Sequence, residues 1–90
     1  MNNLQKNQKK AKWKVYILKC SDETFYTGIT TDLDRRIEQH NSSPLGAKYT
    51  FGRRPVELFW AKKFNNRSLA SKEECRIKKL PRAQKLELIV

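Results

Sequence analysis

An arginine and a histidine stand four residues apart in a segment whose sequence predicts a helix. Arg36 and His40 would project from one face of that helix, because residues at positions i and i+4 are neighbours. A guanidinium offers planar, bidentate donors that suit a phosphate. The pair therefore predicts an anion-facing edge, although the same spacing also fits a solvated helix face that ends in a histidine.

Two tyrosines precede this helix, on segments that predict consecutive strands. A hairpin turning near Asp22 would bring Tyr16 and Tyr26 close together. Gly28 follows directly, and it lets the backbone leave the second strand with no side chain in the way. On pattern alone, two ordinary core aromatics with hydroxyls bonded at the rim explain these tyrosines equally well.

A second predicted helix carries two adjacent glutamates near its apolar stripe. The stripe consists of residues at helical spacing: Leu69, Ala70, Ile77 and Leu80. Glu73 falls near the centre of this stripe and Glu74 at its edge. An inward carboxylate costs free energy unless it is paired or binds a metal. The periodicity does not choose between the two glutamates, and an ion pair with Lys78 is the alternative to a metal site.

A long loop between residues 41 and 54 holds basic and aromatic side chains in alternation. Its predicted contacts to nucleic acid are Lys48, Tyr49, Arg53 and Arg54. Interleaved cations and rings suit phosphate contact with base stacking, and the length of the loop favours a functional role. The alternative is a surface loop with incidental charge.

The elements that would position these side chains follow from hydrophobic patterning. Residues 13–20 are apolar on both faces and predict a central strand, a turn follows at residues 21–23, and residues 24–28 predict a second strand. A helix opens at Thr31, the predicted cap, and closes near residues 40–41. Pro55 begins a third strand, predicted over residues 55–61.

The last part of the chain predicts two helices. Asn65 or Asn66 caps the first, which runs to about Leu80, and Pro81 lies in the first turn of the second, which runs through Leu88. The fold class is therefore α+β: a small three-stranded antiparallel sheet flanked by about three helices. Six aromatic residues are expected to carry much of the core: Trp13, Tyr16, Phe25, Tyr26, Phe59 and Trp60.

Composition narrows the partner. Among 90 residues, 20 lysines and arginines against 9 acids give a formal net charge of +11, so a polyanion is the expected partner. Residues 1–12 predict a flexible basic tail, and residues 13–90 a single domain. No apolar run long enough for a signal peptide or a membrane span occurs, which favours a cytoplasmic protein. Cys20 and Cys75 are then expected to be buried, reduced thiols.

Taken together, these residues resemble the GIY-YIG nuclease family. The segments 15–17 and 26–28 stand where the two signature tripeptides stand, Arg36 and His40 match the first helix of the family, and residues 70–78 match the helix with the metal-binding glutamate. The loop at residues 46–50 resembles the small stand-alone bacterial branch. Val15, Ile17 and Thr27 depart from the signature, but none of these changes removes a reactive side chain.

The resemblance implies hydrolysis of phosphodiester bonds with a single Mg²⁺ or Mn²⁺ ion. Tyr16 would be the general base, Arg36 would stabilise the phosphate, and His40 would relay or orient a proton. Tyr26 would orient the water or the phosphate. Glu74, which the resemblance favours over Glu73, would bind the metal.

The partner implied is nucleic acid, DNA rather than RNA. A protein that supplies specificity is a further expected partner, because many relatives carry an extra nucleic-acid-binding domain for which this chain has no room. Two other functions fit the same residues. One is a module that binds DNA or RNA without cleaving it, and the other is a subunit of a larger nuclease or repair complex.

Overall fold

The apolar segment that begins at Trp13 forms the central strand of a three-stranded antiparallel sheet. The computed structural model describes residues 12–89, so the tail predicted for residues 1–12 lies almost entirely outside the described residues. The elements in chain order are β1 (Trp13–Lys19), β2 (Phe25–Thr30), α1 (Leu33–Ser42), α2 (Lys48–Phe51), β3 (Glu57–Phe64), α3 (Arg67–Lys78), α4 (Arg82–Leu86) and a 3-10 turn (Glu87–Ile89). The predicted α+β class is confirmed.

The sheet order is β2-β1-β3, and β1 pairs antiparallel with both neighbours. In this register Tyr16 lies opposite Gly28 on one side and opposite Ala61 on the other. Because successive side chains of a strand point to opposite faces, β1 supplies apolar residues to both faces of the sheet. This explains why residues 15–18 are all buried.

Each face of the sheet has its own apolar cluster. On one face Val15 and Ile17 pack with Ala70 and Ile77 of α3. On the other face Tyr16 and Leu18 are buried with Cys20 and Val56, and residues of α1 and β2 pack against them: Tyr26, Leu33 and Ile37. Tyr16 therefore lies on the face of the sheet against which α1, the helix that carries Arg36 and His40, packs.

The predicted start of the third strand is wrong by two residues. The side chain of Asn41 forms hydrogen bonds to both backbone groups of Val56. Its Nδ2 donates to the Val56 carbonyl at 2.9 Å, and its Oδ1 accepts from the Val56 amide at 2.6 Å. Pro55 has no N–H to offer to a ladder. Residues 55–56 consequently join the loop, and β3 runs from Glu57 to Phe64.

Helix ends also differ from the sequence predictions. Asp32, not Thr31, caps α1, and its side chain accepts the Arg35 amide at 3.2 Å. Asn66 is the cap of α3, as one of the two predicted candidates. This helix ends at Lys78, before Leu80, and Leu69 is 43% exposed, so the predicted apolar stripe of α3 is narrower than expected. Pro81 precedes α4 instead of lying in its first turn.

The two cysteines are free but differ in burial. Cys20 is buried, as predicted, whereas Cys75 is exposed. Cys75 lies on α3 between Glu74 and Arg76, and the buried face of that helix passes through Ala70 and Ile77. The prediction of two buried thiols is therefore wrong for Cys75. Within residues 12–89, no helix combines the length and apolar character that crossing a bilayer requires.

Candidate active site

A chain of buried hydrogen bonds connects β1 to α1 and to the loop that follows α1. The Tyr16 hydroxyl lies 2.9 Å from His40 Nε2, and His40 Nδ1 lies 2.8 Å from Thr50 Oγ1. Thr50 in turn donates to the Ala47 carbonyl at 3.0 Å. Tyr16, His40 and Thr50 are all essentially inaccessible to solvent. The tyrosine and the histidine that the sequence singled out are thus in direct contact.

These contacts decide how the imidazole is protonated. Since the Thr50 hydroxyl gives its hydrogen to Ala47, it can only accept from His40 Nδ1. Nε2 is then the unprotonated nitrogen and accepts the hydrogen of the Tyr16 hydroxyl. A longer contact, 3.4 Å from the Ala47 amide to Nδ1, would require the opposite tautomer. The shorter pair of bonds favours a proton on Nδ1.

Burial shifts the two acid–base groups in opposite directions. It raises the pKa of Tyr16 to about 12, and the Arg36 side chain only partly opposes this effect. Burial also lowers the pKa of His40 to about 4, and the positive charges of Arg36 and Arg54 lower it further. At neutral pH the site therefore holds a neutral phenol bonded to a neutral imidazole that can accept a proton.

Gly28 is required by the position of the Tyr16 ring. A Cβ atom at this position would lie 2.5 Å from the Tyr16 hydroxyl oxygen and 2.7 Å from Cζ. The glycine of the second signature tripeptide therefore makes room for the phenol where it meets His40. Tyr26, two residues earlier on β2, has its ring centroid 6.4 Å from that of Tyr16 and 5.1 Å from that of His40.

Arg36 lies on the same site, held by the loop that follows α1. Its Nη1 donates to Gln39 Oε1 at 2.8 Å and to the Leu45 carbonyl at 2.9 Å. The guanidinium borders a cavity of about 190 Å³ at the start of α1, together with Thr30, Thr31, Asp32, Arg35 and Gln39. Of the two residues of the predicted anion-facing edge, Arg36 lines this cavity, together with the acid Asp32, whereas His40 is buried against Tyr16.

The two glutamates of α3 have different surroundings. Arg76 binds both carboxylate oxygens of Glu73, at 2.9 and 2.5 Å, and these hydrogen bonds hold the pKa of Glu73 below its usual range. Glu74 forms a 3.1 Å ion pair with the half-exposed Lys78, and its charge helps to raise the pKa of Tyr16. Of the two carboxylates, Glu74 is the one that contributes to the raised pKa of Tyr16, while α3 packs through Ala70 and Ile77 on the opposite face of the sheet.

The loop residues predicted to bind nucleic acid are partly engaged within the protein. Tyr49 is stacked against Tyr26, with centroids 5.9 Å apart, and the Arg53 guanidinium lies 4.0 Å above the Tyr49 ring. Arg53 also bonds to Asp22 at 3.0 Å. Arg54 donates to the carbonyls of residues 40 and 43 at the end of α1, at 2.6 and 2.5 Å. Lys48 is exposed.

Sequence reasoning did not single out Thr50 or Gln39. Thr50 stands in an apparently irregular loop, and Gln39 is one of several polar residues of α1. The sequence predicted His40 on an anion-facing or solvated helix face, whereas the structure buries it completely, and a buried imidazole needs a partner for each nitrogen. The sequence alone does not show that Thr50 is the partner of His40 Nδ1, because the position of Thr50 depends on the path of the loop.

Comparisons with known proteins bear on the fold and the family of the chain. The profile of the GIY-YIG catalytic domain matches residues 12–87. A UPF0213 protein of Oceanobacillus iheyensis is 53% identical over 75 residues, which cover 83% of this chain and 86% of the relative. A UPF0213 protein of Halobacterium salinarum is 54% identical over 71 residues, 79% of this chain and 91% of the relative.

Two solution NMR structures share the fold. A protein from E. faecalis aligns with a TM-score of 0.60 and 42% identity, and it covers 87% of this chain and 82% of its own. A UPF0213 protein from Bacillus halodurans aligns with a TM-score of 0.55 and 45% identity, with the same coverage. The names of these relatives specify no activity.

Proposed function

The chain belongs to the GIY-YIG domain family, and from this premise we propose that it is an endonuclease that hydrolyses phosphodiester bonds of nucleic acid with one divalent metal ion. The observation that carries the proposal is the buried contact between the Tyr16 hydroxyl and His40 Nε2, beside Arg36. It joins a phenol to a neutral proton acceptor, and Arg36 also lines a cavity open to solvent.

Tyr16 acts as the general base in this proposal, with His40 as its proton acceptor. A phenol with a pKa of about 12 is protonated at neutral pH and cannot take up a proton unless it releases its own. As the phenol oxygen removes a proton from the attacking water, the phenol proton passes to His40 Nε2. A His40 pKa of about 4 keeps that nitrogen unprotonated at neutral pH, and it also makes the imidazole a weak base, so the proton transfer has to be coupled to attack on the phosphate.

Arg36 stabilises the negative charge that develops on the phosphate. The Arg36 side chain also acts on Tyr16 and lowers its pKa through a hydrogen bond, so the guanidinium lies beside the phenol. Gln39 and the Leu45 carbonyl fix the guanidinium before substrate arrives, which reduces the reorganisation needed during the reaction. Tyr26, which adjoins both Tyr16 and His40, orients the water or the phosphate.

Glu74 would hold the metal ion. Within residues 12–89 no group of three or more potential ligands from His, Cys, Asp and Glu is close enough to form a metal cage. A single carboxylate nevertheless fits Mg²⁺, which keeps several waters and is often bound through one carboxylate and substrate phosphates. When bound, the ion would neutralise charge on the phosphate and the leaving oxygen. Lys78 is the group that the ion would replace beside Glu74.

Lys48 and Arg53 contact the nucleic-acid backbone in this proposal. Tyr49, which contacts both Tyr26 and Arg53, links their loop to the site. Arg54 contributes indirectly, because it ties the end of α1 to the loop that follows. Phosphate contacts of this kind position a strand without reading its sequence, so the proposed activity is not sequence-specific.

The test is a Mg²⁺-dependent cleavage assay on single-stranded, duplex and branched DNA and on RNA. Tyr16→Phe, Arg36→Ala and Glu74→Gln are each expected to lower the cleavage rate by about 100-fold or more. Glu73→Gln is the matched control, since its carboxylate is bound to Arg76, and it should cleave at the wild-type rate. Absence of cleavage by wild type on every substrate, or equal cleavage by Tyr16→Phe, would refute the enzyme.

A binding module without catalysis is the second candidate, favoured by the ion pair that engages Glu74 with Lys78. The salt dependence of binding separates the two candidates. With about six phosphate contacts, log affinity should fall against log salt with a slope near −5. In a module that only binds, Glu74→Gln leaves both this slope and the affinity in Mg²⁺ unchanged. In the nuclease, Glu74→Gln loses the part of the affinity that depends on Mg²⁺.

A further inference from the structure

Two large apolar side chains are exposed on the loop beside the candidate active site. Leu45 is 66% exposed and Phe51 is 56% exposed, the two highest values among the exposed large apolar residues described. Neither belongs to an apolar cluster of the core. Exposed apolar side chains that gather near a functional site commonly mark a surface that binds a ligand or partner.

Both residues belong to the segment between α1 and β3, which contacts the site. The backbone carbonyl of Leu45 accepts from Arg36 Nη1 at 2.9 Å, so this residue adjoins the guanidinium to which the proposed function assigns the phosphate. Phe51 is linked to the same segment through Arg54, whose guanidinium lies 4.6 Å above the Phe51 ring and donates to the Ser43 carbonyl at 2.5 Å. We call Leu45 and Phe51 the apolar rim.

The charge around the apolar rim indicates what it contacts. Residues 39–56 contain no aspartate or glutamate, while they include Lys48, Arg53 and Arg54. Asp22 pairs with Arg53, but the segment as a whole combines basic and apolar groups, which is complementary to nucleic acid, whose backbone is anionic and whose base faces are apolar.

From these observations we propose that the apolar rim packs against unpaired bases next to the scissile phosphate. The substrate is then nucleic acid with unstacked bases: a single strand, a flap or a branch point. In a closed duplex the base faces are stacked on each other, so Leu45 and Phe51 would gain little there. The inference rests on the nucleic-acid substrate proposed above and specifies its class.

Tyr49 cannot serve this purpose in the arrangement observed. One face of its ring is stacked on Tyr26 and the Arg53 guanidinium lies over the ring. A base would have to displace one of these groups. Phe51 carries Arg54 over its ring but is 56% exposed, so its side chain is more accessible to a base than that of Tyr49, which is 39% exposed. Phe51 is therefore assigned to the base contact in place of Tyr49, the aromatic residue that the sequence favoured.

The test measures equilibrium binding without divalent metal, so that no substrate is cleaved. Labelled oligonucleotides of one sequence are offered as a single strand, a blunt duplex and a duplex with a single-stranded flap, over a range of salt concentrations. Leu45→Ser and Phe51→Ser are compared with wild type and with Leu86→Ser. Leu86 is 42% exposed on α4 and outside the core clusters, which makes it a matched control for loss of apolar surface.

Wild type should bind the single strand and the flap more tightly than the duplex. Each rim variant should weaken binding to the first two by about fivefold to a hundredfold, with the salt slope and duplex binding unchanged. Leu86→Ser should bind all three probes like wild type. Circular dichroism and the thermal midpoint confirm that the variants are folded, as expected for exposed positions.

Unchanged affinity of both rim variants for the single strand and the flap would overturn the inference, and would leave the rim as a surface for a protein partner. An equal loss on the duplex would also overturn it, because the contact would then not involve unpaired bases. These outcomes are independent of catalysis. A wild type that binds flaps through the rim but cleaves nothing would refute the nuclease and retain this inference.

Discussion

Thr50 determines which nitrogen of His40 carries a proton, because its hydroxyl is already committed to the Ala47 carbonyl. Patterning and family resemblance could identify Tyr16, Arg36 and His40, since each lies on a regular element with a characteristic spacing. Thr50 has no such signal. Its role depends on the path of an irregular loop, which no periodicity describes.

Replacing Thr50 by valine keeps the shape of the side chain and removes the hydroxyl. His40 Nδ1–H would lose its acceptor, so the tautomer that accepts from Tyr16 is no longer favoured. We expect Thr50→Val to cleave about 10- to 100-fold more slowly than wild type. Its free energy of unfolding should be lower by about 1–3 kcal/mol. Cleavage rates across pH, with urea unfolding in parallel, provide the measurement.

Thr50→Ser is the control, because serine can restore both hydrogen bonds. It should recover most of the cleavage rate and the wild-type pH profile. If Thr50→Val lost stability but cleaved at the wild-type rate with an unchanged pH profile, the hydroxyl would only support the fold.

At the level of elements, the loop between α1 and β3 is the part that the sequence described least well. The strands, the two longer helices and their order were predicted, because each has a clear apolar pattern. Within the loop, the helix α2 is only four residues long, and Asn41 removes residues 55–56 from the third strand. Such boundaries depend on individual side-chain hydrogen bonds, which local propensity does not encode.

Gly46 lets this loop lie directly against α1. A Cβ atom at this position would be 2.7 Å from the Gln39 carbonyl oxygen and 2.9 Å from the His40 Cα, both backbone atoms that cannot rotate away. We expect Gly46→Ala to displace the loop, to separate Leu45 from Arg36, and to lower stability by about 1–3 kcal/mol. The cleavage rate should fall by about tenfold or more, since the loop positions Arg36 through the Leu45 carbonyl and His40 through Thr50.

Gly52→Ala is the control for this substitution. Position 52 has no heavy atom within 4 Å of an added Cβ, and its φ is −93°. Alanine should therefore be accepted there with little change in thermal midpoint or cleavage. Equal behaviour of the two variants would show that the loop does not need close contact with α1.

On the scale of the whole molecule, the stability of the fold is linked to the charge state of its one histidine. The site holds His40 neutral, and burial, Arg36 and Arg54 lower its pKa to about 4, from an ordinary value of 6.5. A net charge of +11 gives the protein no acidic surplus near this position to stabilise an imidazolium. The same surroundings that keep a proton acceptor available therefore make protonation unfavourable for the folded state.

The sign of the resulting pH dependence follows from linkage. Between pH 6.5 and 4 the unfolded chain binds a proton at His40 that the folded protein does not bind, so stability falls as pH falls. The full effect is about 3 kcal/mol, and it is absent above pH 6.5. Urea unfolding of wild type and His40→Gln from pH 7.5 to 4 measures it as a difference.

His40→Gln should have a flatter stability profile than wild type in this window. Asp22 and Glu73, whose pKa values are also lowered, lose their contributions in both proteins and cancel in the difference. Parallel profiles for the two proteins would mean that His40 is not held neutral by the fold.

Because the two cysteines differ in burial, the extent of thiol modification measures the fraction of folded molecules. A thiol-specific reagent can reach Cys75 in the folded state, whereas Cys20 is covered until the chain opens. One modified sulfur per chain therefore reports a folded molecule, and two report a molecule that has unfolded at least once. The ratio can be read by mass spectrometry from unmutated protein, at concentrations and in mixtures where optical unfolding signals fail.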